Sequence, residues 1–239
     1  MGAADQDYHH PPVARPPSRL AGAPVVKWLM IINIAIHVGA VAIWGQNPNR
    51  LSPPEMIGAF TITDGLYGWQ LWRLLSFQFL HAGYLHLIFN MYALYMFGPI
   101  LERWWQSRAF LGFYLLTGAA GALCFVVLWA VPGLLEGISP STPLVGASAG
   151  IFGILIGVAV IAPEGRVMLL FPPIPMKMRT FAMVIMGFGL YMILVNGHNA
   201  GGEAGHLGGA LAGLLFMKVR PLRKFLLALG GRPRGASYR

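Results

Sequence analysis

Six apolar runs, at roughly 25–44, 84–101, 109–131, 148–162, 180–195 and 205–219, leave this 239-residue chain few folds to choose from. In lipid a backbone polar group finds no water, so each crossing must pair its own N–H and C=O groups, as a helix does. Only 10% of the residues are charged and 56% are hydrophobic, with a mean hydropathy of +0.62; soluble domains carry roughly 25% charged residues. The expected fold class is an all-α polytopic membrane protein, a six-transmembrane-helix bundle with the lipid bilayer as its solvent.

An even number of crossings puts both termini on one side, and the basic residues say which. Arg15, Arg19 and Lys27 precede the first run, Arg103 and Arg108 join the second and third, and Arg166, Lys177 and Arg179 join the fourth and fifth. Lys218, Arg220, Arg223, Lys224, Arg232, Arg234 and Arg239 follow the sixth, so 15 of the 17 Lys and Arg share one side, and only Arg50 and Arg73 oppose them. The positive-inside rule then predicts cytoplasmic N- and C-termini. The net charge of +9 is thus a topology signal. No nucleic-acid partner is expected, because a binding surface gathers its basic residues on one folded face.

Residues 1–24 are polar, proline-rich and acidic at Asp5 and Asp7, and read as a disordered cytosolic tail. Residues 25–220 hold the six-span domain, and 221–239 read as a basic cytosolic C-terminal tail. The long connection at about 45–83 is external and carries Trp69, Trp72 and Phe77, as an interfacial segment does. Runs four and six, about 15 residues each, span roughly 22 Å against about 30 Å of hydrocarbon. A helix end that stops below the surface must open onto a water-filled hollow. The lone Cys124 can form no intrachain disulfide and no cysteine-based zinc site.

The fourth run opens with Gly146-Ala147-Ser148-Ala149-Gly150. This has the Gly-x-Ser-x-Gly form of a nucleophile elbow, but nothing around it alternates strands with helices as that fold requires. What remains is a serine in the first turn of a helix, among small neighbours, where the helix N-terminus favours negative charge. The sixth run opens with Gly205-His206-Leu207-Gly208-Gly209, and an ionisable residue inside a span is expensive enough to suggest function. Glycine stripes at 205, 209 and 213 and at 146, 150, 153 and 157 permit close helix packing. They could bring His206 within reach of Ser148 as its base. Phe152, one turn after Ser148, could stack on the imidazole and orient it without an aspartate. On the second run, His86 and Asn90 share a helical face, and both can donate to an oxygen that becomes negative.

Taken together, Trp72-Arg73, His81 with His86-x-x-x-Asn90, Gly98-x-x-x-Glu102, Gly-Ala-Ser148 and Gly-His206-Leu-Gly-Gly resemble the rhomboid intramembrane serine proteases over about residues 25–220. The resemblance implies a rhomboid-like bundle with a large interfacial first loop. It implies Ser148 as nucleophile, His206 as general base, and His86 and Asn90 as oxyanion donors. Trp72, Arg73, His81 and Glu102 become structural supports, chiefly of the first loop; whether Arg73 and Glu102 meet each other or backbone is open at this point. The chain departs from many members at Ala149, where glycine is usual, and at Gly205, where alanine is usual. Both stay small, and activity is expected to survive. Single-span membrane proteins are the implied substrates, with a small residue before the cut, and the lean loops suit a bacterial inner-membrane enzyme. No cofactor is expected, and no metal: the chain has no His-Glu-x-x-His segment. His198, in a loop, is the competing base, and His37 with Asn33 reads as a polar helix contact.

Overall fold

The computed structural model describes residues 18–47, 50–168 and 173–230. Residues 1–17 and 231–239 lie outside the described residues, and with them most of the expected N-terminal tail. The chain is built from α-helices: α1 (Pro24–Trp44), α2 (Pro53–Gly58), α3 (Arg73–Ser76), α4 (Tyr84–Trp105), α5 (Ser107–Trp129), α6 (Ser148–Ile161), α7 (Met178–Leu194), α8 (Ala200–Lys218) and α9 (Arg220–Gly230). Among the described residues, β1 (Arg166–Met168) pairs antiparallel with β2 (Pro175–Lys177) just before α7.

Three helices, α1, α4 and α5, are long and apolar enough to cross a membrane, and α6 and α7 are shorter apolar helices. Their outer faces carry exposed Ile31, Ile34, Val38, Leu85, Ile88, Val127, Met183, Val184 and Phe188. An apolar belt of this extent is untenable in water. The protein is an integral membrane protein.

α6 sits inside. With 14 residues it is about 21 Å long, shorter than the roughly 30 Å hydrocarbon layer, and it packs against α4, α5, α7 and α8. Its glycines make this possible. A methyl at Gly150 would lie 2.7 Å from the Tyr114 ring, one at Gly153 2.6 Å from Thr117 Oγ1, and one at Gly157 2.8 Å from Leu101. From the other side, Gly213 of α8 approaches the Gly153 backbone, and Gly209 leaves no room for a methyl beside the Ala149 carbonyl. α5 closes the triangle, where Gly121 lies against Ala149 and the Gly205 carbonyl.

One helix differs from expectation. α8 begins at Ala200 rather than near 205 and runs for 19 residues, so it is not short. Its first turn contains Glu203, which lowers the local hydropathy and hides the helix start from an apolar window. The segment expected as a basic C-terminal tail is helical as far as residue 230. α9 turns Leu222, Phe225, Leu226 and Leu229 to one side and Arg220, Arg223 and Lys224 to the other, and Leu226 is fully buried.

The segment between α1 and α4 is folded throughout residues 50–83 and is not a simple loop. Ser52 caps α2 through a reciprocal pair with Glu55. Buried Arg73 ties the segment together: its guanidinium donates to the carbonyls of Ala59 (2.6 Å) and Met56 (2.8 Å) and to Gln70 Oε1 (2.7 Å). Trp72 is half-exposed, and its indole donates to the Ile57 carbonyl at 3.2 Å. Gln78 is fully buried and donates to the Leu115 carbonyl of α5.

Candidate active site

Ser148 is the first residue of α6, and the strand-like segment before it is pinned to the first loop. Leu144 and Phe60 exchange backbone hydrogen bonds at 2.7 and 3.1 Å, and the Gly146 N–H donates to the Phe77 carbonyl at 3.0 Å. Gly146 then turns the chain at φ +128°, a conformation open to glycine. These links aim Ser148 into a hollow of about 780 Å³ between α4, α6, α8 and the α7–α8 connection.

His206 enters the hollow from the second turn of α8. Its Nε2 lies 2.8 Å from Ser148 Oγ, and its ring stacks on Phe152, with centroids 4.2 Å apart and planes 6° from parallel. The far ring nitrogen, Nδ1, lies 3.1 Å from Glu203 Oε2. Ser148, His206 and Phe152 are therefore brought together. Glu203 belongs to no motif in the sequence; its i, i+3 offset from His206 is the one signal that marks it.

His86 reaches the same place from α4. A methyl built on Gly146 would lie 2.8 Å from His86 Nε2 and 3.4 Å from Ser148 Oγ, so both groups border one small volume above the Ser148 turn. Gly146 keeps that volume open, a second role that the sequence disclosed only as one more small residue. Asn90 lines the hollow but is 5% exposed, and its amide donates to the His86 carbonyl at 2.8 Å. One of its N–H groups is thus committed to its own helix. His198 also lines the hollow, in the Asn196–Asn199 turn, where its neighbours Asn196 and Asn199 adopt left-handed φ; the imidazole at the serine is His206.

The remaining residues act at a distance. His81 is 2% exposed and packs edge-on to His86, with centroids 5.1 Å apart. Burial, with His86 and His37 nearby, holds its pKa down to about 3, so it stays neutral. His37 packs edge-on to Tyr84 at 5.2 Å, while Asn33 donates back to the Leu29 carbonyl of its own helix. Neither links two helices by a hydrogen bond among the described residues.

Glu102 does not support the first loop. Its carboxylate accepts from the backbone N–H groups of Val25 (3.0 Å) and Val26 (2.8 Å) and from Ser107 Oγ (2.6 Å). It caps the N-terminus of α1, at the opposite end of the bundle from Arg73, because two unpaired amides at a helix start attract an anion. Among the described residues no group of three or more His, Cys, Asp or Glu could hold a metal ion.

A family model described as the rhomboid domain matches residues 68–221, which takes in α3 to α8 and every residue of the site. The chain is 33% identical over 142 residues to the rhomboid protease GluP of Bacillus subtilis (strain 168), covering 59% of this chain and 24% of that protein. It is 25% identical over 201 residues to the rhomboid protease AarA of Providencia stuartii, covering 78% and 69%. It is 25% identical over 193 residues to the rhomboid-like protease 3 of Toxoplasma gondii, covering 79% and 66%. The chain thus spans about a quarter of GluP and about two thirds of the other two.

Proposed function

Because the chain belongs to the rhomboid family, we propose that it is an intramembrane serine endopeptidase, cutting peptide bonds in or near the transmembrane segment of single-span membrane proteins. The observation that carries this reading is the 2.8 Å contact between Ser148 Oγ and His206 Nε2 at the edge of a hollow. His206 Nε2 takes the hydroxyl proton as Ser148 Oγ attacks the scissile carbonyl carbon. The carbonyl oxygen becomes negative in the space bordered by His86 and the start of α6, where the helix N-terminus and the second N–H of Asn90 add stabilisation. The C–N bond then breaks, the proton passes from His206 to the leaving amine, and an acyl-Ser148 ester remains. Water attacks the ester with His206 again as base, which frees the serine.

Water reaches this chemistry because α6 is too short to carry Ser148 to the membrane surface. A helical substrate hides its amides, so the cut segment must unwind first, and glycine or proline in it lowers that cost. The helices α1, α4, α5, α6, α7 and α8 are the crossings of the bundle, both termini are cytoplasmic, and the setting is a bacterial inner membrane.

The test uses the purified full chain in liposomes with a single-span reporter substrate. The wild type is expected to cut it, and Ser148→Ala and His206→Ala are each expected to abolish cutting. Cutting that survives either substitution refutes the dyad. A reporter fused to the C-terminus and found outside the cell refutes the orientation.

A further inference from the structure

Glu203 lies one turn before His206 on α8, and its Oε2 stands 3.1 Å from His206 Nδ1, with the two side chains 15% and 16% exposed. The opposite ring nitrogen is the atom 2.8 Å from Ser148 Oγ. One line of hydrogen bonds thus runs from a carboxylate through the imidazole to the serine. A third helix borders the carboxylate: a methyl built on Gly189 of α7 would lie 2.8 Å from Glu203 Oε2. Glycine at 189 is the residue that leaves the carboxylate room.

Resting on the serine-protease reading above, we propose that Glu203 is the positioning residue of the base, a carboxylate that extends the Ser148–His206 dyad into a Ser-His-Glu hydrogen-bond relay. Neutral imidazole has two tautomers, and only the one protonated on Nδ1 offers Nε2 as an acceptor to the serine. An ionised carboxylate can only accept, so Glu203 selects Nδ1–H. As Ser148 attacks, its proton moves to Nε2 and an imidazolium forms. Glu203 stabilises that cation by charge and hydrogen bond, without taking the proton itself. Phe152 fixes the plane of the ring but cannot choose a tautomer; the carboxylate does that and fixes the rotation. Among the described residues, the other groups that share the hollow with the imidazole carry no negative charge: His86 from α4, Ser148 and Phe152 from α6, and His198 from the α7–α8 connection; Gly189 of α7 borders the carboxylate.

The experiment measures kcat, KM and the pH profile of kcat/KM for the reconstituted full chain and a single-span reporter, with thermal unfolding alongside. Glu203→Gln keeps the volume and an acceptor oxygen but removes the charge. Its kcat is expected to fall about 10²-fold, with KM within about twofold. The acidic limb is expected to move to lower pH, because the imidazolium has lost its counter-charge. Gly189→Ala, whose methyl meets only the mobile end of Glu203, is expected to lower kcat in the same direction with unfolding unchanged. A Glu203→Gln enzyme with kcat within about threefold of wild type overturns the relay. So does one whose activity falls while the acidic limb stays in place, since that marks a structural loss. Ser148→Ala in the same assay separates the two ideas. If it still cuts, the protease reading fails; if it is dead while Glu203→Gln is normal, only the relay fails.

Discussion

Gly146→Ala tests the geometry around the nucleophile at a residue that carries no functional group. Gly146 holds φ +128°, and an L-residue forced into such a sparsely populated region costs about 1–3 kcal/mol. The new methyl would also lie 2.7 Å from His86 Cε1 and 2.8 Å from Nε2, closer than van der Waals contact allows. His86 can swing aside at little cost in stability, since its ring is the far end of a rotatable side chain. It then no longer borders the space where the carbonyl oxygen becomes negative. Losing one such donor typically lowers the rate about 10²–10³-fold, or about 2.7–4 kcal/mol of barrier. The variant is therefore expected to unfold with a stability loss of about 1–3 kcal/mol and to lose far more activity than that at temperatures where it stays folded. The assay is cleavage of a single-span reporter in liposomes beside thermal unfolding in detergent. Gly39→Ala is the control, because nothing lies within 4 Å of a methyl there; it should match the wild type or gain about 0.5–1 kcal/mol. Gly146→Ala activity within about threefold of wild type would refute the placement of His86 against the serine turn.

Arg73→Lys cannot make the three hydrogen bonds of the guanidinium and should cost about 2–3 kcal/mol; unchanged thermal unfolding would contradict this. Glu102→Gln leaves the α1 N-terminus without its anion and should cost about 1–2 kcal/mol, with cleavage unchanged below the unfolding temperature. His81 gives the pH dependence. Unfolded, its imidazole takes a proton near 6.5, whereas folded it resists protonation down to about 3. The unfolded chain thus binds more protons in that window, and stability should fall as pH drops from about 6.5 toward about 3, by up to about 1.4 kcal/mol per pH unit. His81→Gln should flatten this slope in unfolding titrations.

Much of this architecture was legible in the sequence because the forces behind it are local. Continuous apolar runs mark α1, α4, α5, α6 and α7, and the Ser148–Phe152 offset follows from helix periodicity. What escaped was set by distant partners or hidden by polarity. The first turn of α8 is hidden because Glu203 interrupts the apolar pattern, and only an i, i+3 offset marks the same residue as a neighbour of His206. Arg73 and Glu102 carry opposite charges, and no spacing rule discloses that each serves backbone groups at opposite ends of the bundle. The bridge between Phe60 and Leu144 joins residues far apart in sequence, and isolated pairs leave no periodic trace. α5 looked like a plain span, yet Gly118 and Gly121 make room on it for Gln78, Ala149 and Gly205.

The most direct test of the central claim is to treat the reconstituted full chain with a fluorophosphonate and locate the adduct by mass spectrometry. A phosphonyl group on Ser148, formed by the wild type and lost in His206→Ala, is the expected result. An adduct on another residue, or on Ser148 at the same rate without His206, would contradict the account.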